Sequence, residues 1–439
     1  MLQWILLALT VLGLGFLIVR KPLWLVPLLA VAVALEISSI WYPDLGRIGE
    51  MLGIVSLTRL TSVALILAAF PRLLYISEMR QRFRAIVGDP LTVILLIYII
   101  LGAASMLYSA DLLKTLTETV RLLLLFAVFL SIALLMDRNQ ELLPFHAVHI
   151  TALLLAPLSF YEAFTGNAIW HEQALVKGTI RVNATFVDPN IFARFLVLAI
   201  VANFVLQLYT REKSLRVLYM GALAVLLAEL ALTSSRGGVL TLLLILIIVL
   251  FMLPNKKAVL WVFGLGVLCA ALVLFIRPDI WDRLFSLSGG LAAAAGPVRL
   301  YLWKAALAIF ADHPVLGTGL GTFQTVFLSD YAHLKTVASD VSLSHTTILT
   351  VAAELGIVGL LVLVALWVIL IVRVFQLLNI SGYSLSIFTN YRNQYYAGAG
   401  YFLWALTVFV SSQGEGRFFE DPILWLSCAL LVVLRVMRR

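Results

Sequence analysis

Arginine and histidine side chains that could bind an anion and move a proton recur in this otherwise apolar chain. Arg299 begins the segment RLYLWKAALAIFADHPVLGTGLGTF, and His345 opens the apolar segment SLSHTTILTVAAELGIVG. A guanidinium donates planar, forked hydrogen bonds that match phosphate oxygens. A histidine that faces an arginine-lined aqueous cavity is a candidate general base. The stretch from Arg299 to Gly359 is therefore the first candidate for chemistry.

Three further arginines lie beside predicted helix starts. Arg181 belongs to RVNATFVDPNIFARFL, in which the tripeptide DPN is typical of a helix start. That helix start explains neither Arg181 nor Arg194, which lies in the apolar stretch that follows. Arg236 belongs to TSSRGGVL, where two glycines allow close backbone approach. A guanidinium beside free backbone amides suits a diphosphate, and a structural role in the turn is the alternative.

The Arg299 stretch predicts an amphipathic helix that lies outside the membrane. Its apolar face consists of Leu302, Ala306, Ile309 and Phe310, and the tripeptide DHP ends it. The glycines of GTGLGTF are a weak nucleotide-binding signal because no strand–turn–helix surrounds them, so a flexible or tightly bent loop is predicted. Further on, Glu354 points away from the helical face that His345 shares with Gly356. Helical spacing alone therefore does not predict that Glu354 orients His345.

Membrane helices must position these side chains. Of the 439 residues, 62% are hydrophobic and 12% are charged, and the mean hydropathy is +1.05. These values lie outside the range of soluble domains and predict an all-α polytopic membrane protein, with residues 1–439 as a single integral membrane domain. Cys269 and Cys428 both lie in apolar runs, so a disulfide framework or a cysteine-based metal site is excluded.

Apolar runs long enough to cross the hydrocarbon core predict about 12–14 membrane-spanning helices. The runs begin near Leu2, Pro22, Leu52, Leu91, Glu118, Leu143, Pro189, Leu215, Gly237, Ala258, His345, Tyr396 and Pro422. Two longer connections are predicted as outer loops, one at residues 165–188 and a partly helical one at residues 278–344. Residues 345–359 form the start of the span that follows the second loop.

Basic residues predict the orientation of the chain in the membrane. The connections on one side hold 17 Lys and Arg against 5 Asp and Glu, which is typical of the cytoplasmic side. The amino terminus and both long loops are then outside. The net charge of +8 reflects this topology and anionic membrane lipid, with no nucleic acid as a partner.

Ionisable residues within the predicted spans cluster towards the outer half of the membrane. They are Glu36, Arg59, Glu118, Arg121, Glu162, Arg194, Glu229, Arg236 and Glu354. Such residues are costly in hydrocarbon and tend to face a bundle interior or an aqueous cavity. A transporter carries polar groups near the midplane, so one-sided clustering favours a site open to the periplasm or exterior. Interfacial charges and ordinary ion pairs are the alternative.

Four separated blocks in one order carry a family resemblance. They are SSRGG, an arginine with a nearby tryptophan in RLYLW, HPVLGTGLGTF, and SH followed by AELGIVG. With RVNATFVDPN, these blocks over residues 180–360 resemble the superfamily of O-antigen ligases and O-antigen polymerases, which are bacterial envelope glycosyltransferases. The resemblance implies a C-type glycosyltransferase fold in the bacterial inner (plasma) membrane, with the active site facing the periplasm.

The resemblance also implies the substrates. Such enzymes take a glycan from an undecaprenyl diphosphate carrier and pass it to an acceptor hydroxyl, without a metal or another cofactor. In the ligase pattern, an arginine and a leucine separated by three residues match Arg236 and Leu240, and the essential histidine matches His345. The pattern places a glycine ten residues after that histidine, where this chain has Leu355 followed by Gly356. This departure leaves the acceptor open.

The residues and the resemblance together give one mechanistic hypothesis. Arginines bind the diphosphate and stabilise the charge that develops on it, while His345 deprotonates the acceptor hydroxyl. Diphosphate is a good leaving group, and the sequence has no DxD motif, so the hypothesis includes no metal site. The predicted site residues are the catalytic His345, Arg236 and Arg299, the diphosphate-binding Arg181, Arg194, Arg236 and Arg299, and the supporting His313, Glu354 and Gly356.

Several functional alternatives stay open from the sequence. An O-antigen ligase of lipopolysaccharide biosynthesis uses lipid A core as acceptor. A polysaccharide polymerase uses a second carrier-linked repeat, and a glycan-to-protein ligase uses a surface protein. A transporter or flippase of the same lipid-linked glycan is the alternative from another class, and it would predict polar residues through the inner half of the spans. A membrane scaffold would leave the one-sided charges unexplained.

Overall fold

The computed structural model describes residues 1–44, 55–170, 181–252, 256–278, 297–336, 344, 346–382, 389–416 and 418–436. Within these residues the regular elements are helices and no strand occurs, which confirms the predicted all-α class. The α-helices are α1 (Leu2–Arg20), α2 (Leu25–Ala34), α3 (Leu57–Tyr75), α4 (Ser77–Val87), α5 (Pro90–Ala104), α6 (Leu112–Leu135), α7 (Leu143–Thr165), α8 (Pro189–Tyr209), α9 (Lys213–Leu232), α10 (Arg236–Met252), α11 (Lys256–Ile276), α12 (Pro297–Asp312), α13 (Phe323–Asp330), α14 (Thr347–Gly382), α15 (Thr389–Glu415) and α16 (Pro422–Val436).

Eight helices of the described residues are long and apolar enough to cross a membrane, namely α1, α3, α5 with the turn that follows it, α6, α7, α8, α9 and α14. Shorter apolar helices occupy Pro22–Ala34, Arg236–Met252, Gly264–Ile276 and Pro422–Val436. These findings confirm a polytopic membrane protein. Together with α15 they account for the apolar runs of the sequence, while the number of spans stays a prediction.

Helix α8 is the axis of the bundle. Every residue from Ile191 to Leu206 is buried, as expected for a helix that is apolar on all sides. Helices α7, α9, α10 and α15 pack around it. Residues at the start of α8 are therefore enclosed by the starts and ends of its neighbours.

Contacts between helix ends define the two ends of the bundle. At the end that we call the basic end, Arg72 donates to the Ile18 carbonyl at 2.7 Å, and Arg373 pairs with Asp89 at 2.7 Å. At the opposite end, which we call the loop end, the Thr185 hydroxyl donates to the carbonyl that closes α2 at 2.6 Å. Arg181, four residues before Thr185, connects the same end to the turn before α10 by donating to the Thr233 carbonyl.

Helix α12 occupies the segment for which the sequence predicts an amphipathic helix, and its position outside the membrane stays a prediction. It ends at Asp312, and its Leu302, Ala306 and Ile309 are buried against α13 and Ala353 of α14. The Tyr331 hydroxyl donates to the Asp312 carboxylate, which joins the ends of α12 and α13 and raises the pKa of Tyr331 to about 12.

The loop after α12 is locked into a break in α14. At Gly356 the backbone is non-helical, with φ 61° and ψ −156°. The amide of Ile357 donates to the Pro314 carbonyl at 2.8 Å, and the Ala353 carbonyl accepts from Thr318 N–H at 3.1 Å. The loop thus supplies hydrogen bonds that α14 loses at its break, which a membrane-embedded backbone requires.

The alternate glycines of this loop are needed for close approach. Gly317, Gly319 and Gly321 all have positive φ. A Cβ at Gly317 would lie 2.3 Å from the Glu354 carbonyl carbon, and one at Gly321 would lie 2.5 Å from Glu118 Cγ. The tightly bent loop predicted from GTGLGTF is therefore present, and its glycines serve helix packing.

Candidate active site

Arg181 is buried at the starts of two helices. Its Nε donates to the Thr233 carbonyl at 3.2 Å, in the turn before α10, and its Nη2 donates to Asn190 Oδ1 at 2.8 Å, in the first turn of α8. Only 8% of its surface is exposed. The guanidinium is therefore held between α8 and α10 by fixed acceptors.

Asn190 joins the two helix starts. Its Oδ1 accepts from Arg181 and also from Ser235 Oγ at 2.8 Å. Ser235 Oγ in turn accepts from Gly238 N–H at 3.2 Å and caps α10. Asp188 caps α8 through the Asn190 amide, as the DPN tripeptide predicts. The two amino termini thus meet around one shared side chain.

Arg236 is the first residue of α10 and is half-buried. Its Nη1 atom is buried and has no hydrogen-bond partner among the residues that the structure describes. A buried guanidinium nitrogen without an acceptor is costly, and the start of a helix favours an anion. This place is suited to a phosphate oxygen.

Gly238 brings α10 close to α8. A Cβ at this position would lie 2.7 Å from the Ala193 Cβ, so a larger residue would push the two helices apart. The second glycine of SSRGG therefore keeps Arg236 beside the start of α8, as the sequence predicted from close backbone approach.

Backbone strain marks the same neighbourhood. Ala184 and Ser234 have positive φ values of 48° and 51° although neither is glycine. Glu162 stabilises the first strained segment, because its Oε2 accepts from the Asn183 and Ala184 amides at 3.1 and 2.9 Å. Strained backbone of this kind persists where the surroundings fix it, and it is frequent at functional sites.

Arg194 forms a buried ion pair. Its Nη2 lies 3.0 Å from Asp421 Oδ2, and both side chains are less than a tenth exposed. Asp421 also caps α16 by accepting from the Ile423 amide at 2.8 Å. The described contact therefore gives Arg194 a role in fixing α16 against α8, while diphosphate binding by Arg194 stays a prediction.

Arg299 reaches the carboxyl end of α15. Its Nη2 donates to the Gly414 carbonyl at 3.1 Å. Thr347, at the start of α14, donates to Ser412 Oγ at 2.9 Å. Arg299 and the start of the histidine-bearing helix thus meet on the same short segment, residues 412–414. His345 itself lies outside the described residues, and its neighbours on both sides belong to them.

Sequence reasoning missed the 412–414 segment. Its residues follow an apolar run in the string SSQGEG. The sequence did contain one signal for this segment. Small polar residues end the apolar run of a predicted span on the side of the membrane where the site is predicted. Their contacts with Arg299 and Thr347 depend on tertiary packing, which spacing along the chain does not contain.

Glu354 and His313 take separate positions. Glu354 accepts from the Gly321 and Phe323 amides at 2.9 and 3.1 Å, so its buried carboxylate holds the glycine loop and the start of α13. His313 is exposed and lines a surface cavity of about 420 Å³ together with Tyr108 and Asp330. Glu354 thus supports the segment around the break in α14, whereas the supporting role of His313 stays a prediction. The described contacts bring neither residue to Arg181 or Arg236.

Residues 221–364 match the family model described as O-antigen ligase. The match covers the SSRGG turn, α12, the glycine loop and the break in α14. The match supports membership in the O-antigen ligase superfamily and, in general terms, a membrane glycan ligase or transferase. No curated protein matches the chain. Among the described residues, no cluster of three or more His, Cys, Asp or Glu could hold a metal ion.

Asn190→Ala is expected to weaken the donor complex. The substitution removes the acceptor shared by Arg181 and Ser235 and frees the guanidinium to move, so we expect an approximately tenfold higher KM for a lipid-linked glycan. Asn203→Ala is the matched control, because Asn203 is a buried amide of the same helix that hydrogen-bonds His149 and the Tyr219 carbonyl. An equal change in KM in both variants would show that Asn190 only stabilises the fold.

Proposed function

We propose that this protein transfers a glycan from undecaprenyl diphosphate to an acceptor hydroxyl, as an O-antigen ligase with lipid A core as acceptor. The observation that carries the proposal is the joining of the α8 and α10 starts through Asn190, where Arg181 is held by fixed acceptors and α10 begins with Arg236. A polymerase and a glycan-to-protein ligase would use the same donor site and differ in the acceptor.

The donor diphosphate suits this place by charge and by geometry. Arg181 lies between the starts of α8 and α10, and Arg236 is the first residue of α10. Guanidiniums and helix starts both favour negative charge. The surroundings are largely buried, so their attraction for an anion is screened less than at an exposed surface. Arg181 is fixed by Thr233 and Asn190, whereas the buried nitrogen of Arg236 has no acceptor among the described groups. Arg236 is therefore the stronger candidate for direct contact with phosphate.

The reaction forms one bond and breaks one bond at the anomeric carbon. The acceptor oxygen attacks that carbon, and the bond from the carbon to the phosphate oxygen breaks with its electron pair moving to the diphosphate. The proton of the acceptor hydroxyl passes to the imidazole of His345. Arg236 and Arg181 stabilise the charge that grows on the leaving diphosphate.

Arg299 and the start of α14 belong to the second half of the proposed site, which would hold the general base. The carboxyl end of α15 binds both Arg299 and Thr347, so α12, α14 and α15 are held together next to the position of His345 in the chain. The glycine loop fixes α14 further down, at Gly356. These contacts support a base held on a rigid element, which general-base catalysis requires.

The two ends of the bundle support the proposed location. The basic end carries the arginine cluster of α3 and α4, and the loop end carries the described site residues. With the positive-inside rule, the loop end faces the periplasm of a cell whose inner membrane holds the protein. This orientation matches a donor in the outer leaflet.

An acceptor trial tests the type of transferase. One undecaprenyl diphosphate-linked glycan is incubated with purified protein and, separately, with lipid A core, a second carrier-linked repeat and a surface protein. We expect a product with lipid A core and release of undecaprenyl diphosphate. A product only with the second repeat or only with the protein would contradict the ligase type while keeping the transferase reaction.

A further inference from the structure

Glu162 is a fully buried acid in the last turn of α7. Its Oε2 accepts from the Asn183 and Ala184 amides at 3.1 and 2.9 Å. Its Oε1 accepts from the Ile169 amide at 3.2 Å. Burying a carboxylate is costly unless hydrogen bonds compensate it, and here backbone amides bind both oxygens. The acid therefore ties the end of α7 to the turn at residues 183–184.

This turn depends on the carboxylate. Two successive amides that point to one anion form a concave cradle, and Ala184 within it has φ 48°, a costly value for a residue other than glycine. The hydrogen bonds from Glu162 offset that cost. Without them the backbone is free to relax towards an unstrained conformation. Arg181 lies only two residues before Asn183, so its position changes with the turn.

The segment between Arg181 and α8 is attached at two places. Its downstream half is bound to the end of α2, where the Thr185 hydroxyl donates to the Ala34 carbonyl at 2.6 Å and the Val187 amide donates to Glu36 at 3.0 Å. Glu162 attaches the upstream half, next to the arginine, to α7. Loss of this acid therefore leaves α8 anchored through α2 while it frees the part of the segment that carries the guanidinium.

We propose that Glu162 is a positioning residue for the donor diphosphate and acts through Arg181. Its carboxylate fixes the turn at residues 183–184, and that turn places the guanidinium between the starts of α8 and α10. The proposal rests on the proposed function for the identity of the anion. Glu162 does not touch the diphosphate itself, because a carboxylate in direct contact would repel a phosphate.

The test measures two quantities on the full-length protein in detergent micelles, the Kd of inorganic diphosphate and the KM of the lipid-linked glycan. Both are taken well below the thermal midpoint of every variant. Glu162→Ala removes the three hydrogen bonds to the amides. Glu162→Gln keeps one acceptor oxygen, which can still bind both amides of the 183–184 turn.

Ser159→Ala is the matched control. Ser159 is a buried residue of α7 three positions before Glu162, and its hydroxyl donates to Glu229 of α9 at 2.9 Å. The substitution removes a buried hydrogen bond of the same helix and leaves the contacts of the 183–184 turn in place. It therefore reports how far loss of stability alone changes binding.

We expect Glu162→Ala to raise the Kd of inorganic diphosphate and the KM of the lipid-linked glycan about tenfold. Glu162→Gln should raise either by less than about threefold, and Ser159→Ala by less than about twofold. Equal effects of Glu162→Ala and Ser159→Ala would overturn the proposal. If Glu162→Ala does not fold, Glu162→Asp takes its place, because a side chain shorter by one methylene withdraws the carboxylate from the turn.

A double-mutant cycle with Arg181→Ala shows whether the acid acts through the arginine. In the Arg181→Ala protein the group that Glu162 positions is gone, so the Glu162 substitution should change the Kd of diphosphate by less than about twofold. A second tenfold loss in that background would show that Glu162 acts through the fold as a whole, and it would overturn the positioning role.

The same measurements separate the positioning role from the proposed function. If diphosphate binding depends on Glu162 through Arg181 but no glycan is transferred to any acceptor, the positioning role stands and the transferase assignment fails. If glycan is transferred but the Glu162 variants retain the wild-type Kd and KM, the transferase stands and the positioning role is overturned.

Discussion

Arg236→Ala is expected to lower kcat for glycan transfer by about 10²–10³-fold, the usual effect of removing one donor that stabilises transition-state charge. Arg236 begins α10, and its buried Nη1 has no described partner. Under the proposed function, an anion that arrives with the substrate accepts a hydrogen bond from this nitrogen. The loss should appear in kcat because the charge on the diphosphate grows as the glycosidic bond breaks.

The control for Arg236→Ala is Arg216→Ala. Arg216 is an exposed arginine on α9 whose Nε donates to the Thr210 carbonyl at 2.8 Å, at the basic end of the bundle. Removing it takes away the same charge far from the proposed site. Single-turnover transfer from a lipid-linked glycan is measured in both variants. Equal rates in the two variants would remove Arg236 from the mechanism.

Gly356→Ala is expected to destabilise the protein by at least about 2 kcal/mol and to reduce transfer through the displaced loop. The residue has a conformation that L-amino acids rarely adopt, with φ 61° and ψ −156°. A Cβ would also lie 2.3 Å from the Val315 carbonyl oxygen and 2.7 Å from Leu316 N. Both obstacles are backbone atoms, so they cannot move aside by a rotamer change.

Gly221→Ala provides the matched control in a helix interior. A Cβ at Gly221 in α9 meets nothing within 4 Å, so this substitution should be neutral or stabilising by up to about 1 kcal/mol. Thermal unfolding in detergent and transfer activity are measured for both variants. A Gly356→Ala protein as stable and as active as Gly221→Ala would show that the loop does not depend on the break in α14.

Most of the fold could be predicted because hydrophobicity reports membrane helices directly. The amphipathic helix of Arg299 was predicted with its buried face and its end at Asp312, since Pro314 and the spacing of Leu302, Ala306 and Ile309 are local signals. The DPN helix start was predicted for the same reason, through the cap at Asp188.

The arrangement of the site could be predicted only in part. Close approach at the SSRGG turn followed from its glycines, whereas the shared use of Asn190 by Arg181 and Ser235 depends on the packing of α8 against α10. The insertion of the glycine loop into α14 likewise joins segments distant in sequence. Spacing cannot show that Ala353 and Ile357 of α14 form hydrogen bonds with Thr318 and Pro314 of the loop in place of helical ones.

Glu354 shows how tertiary contacts assign a role that spacing leaves open. Helical spacing indicated only that it does not share a face with His345. In the structure, its carboxylate accepts hydrogen bonds from the Gly321 and Phe323 amides. This buried acidic residue in a membrane helix thus has a structural function. That agrees with the alternative interpretation of the ionisable residues in the spans, in which they form structural contacts.

The most direct test of the proposed transferase is the release of undecaprenyl diphosphate by purified protein in lipid nanodiscs. The protein receives one carrier-linked glycan, with and without lipid A core, and released carrier and glycosylated acceptor are counted together. We predict one released carrier per glycosylated acceptor with wild-type protein and almost none with His345→Ala or Arg236→Ala. Full transfer by His345→Ala, or passage of the intact lipid-linked glycan across the membrane without release of the carrier, would contradict the account.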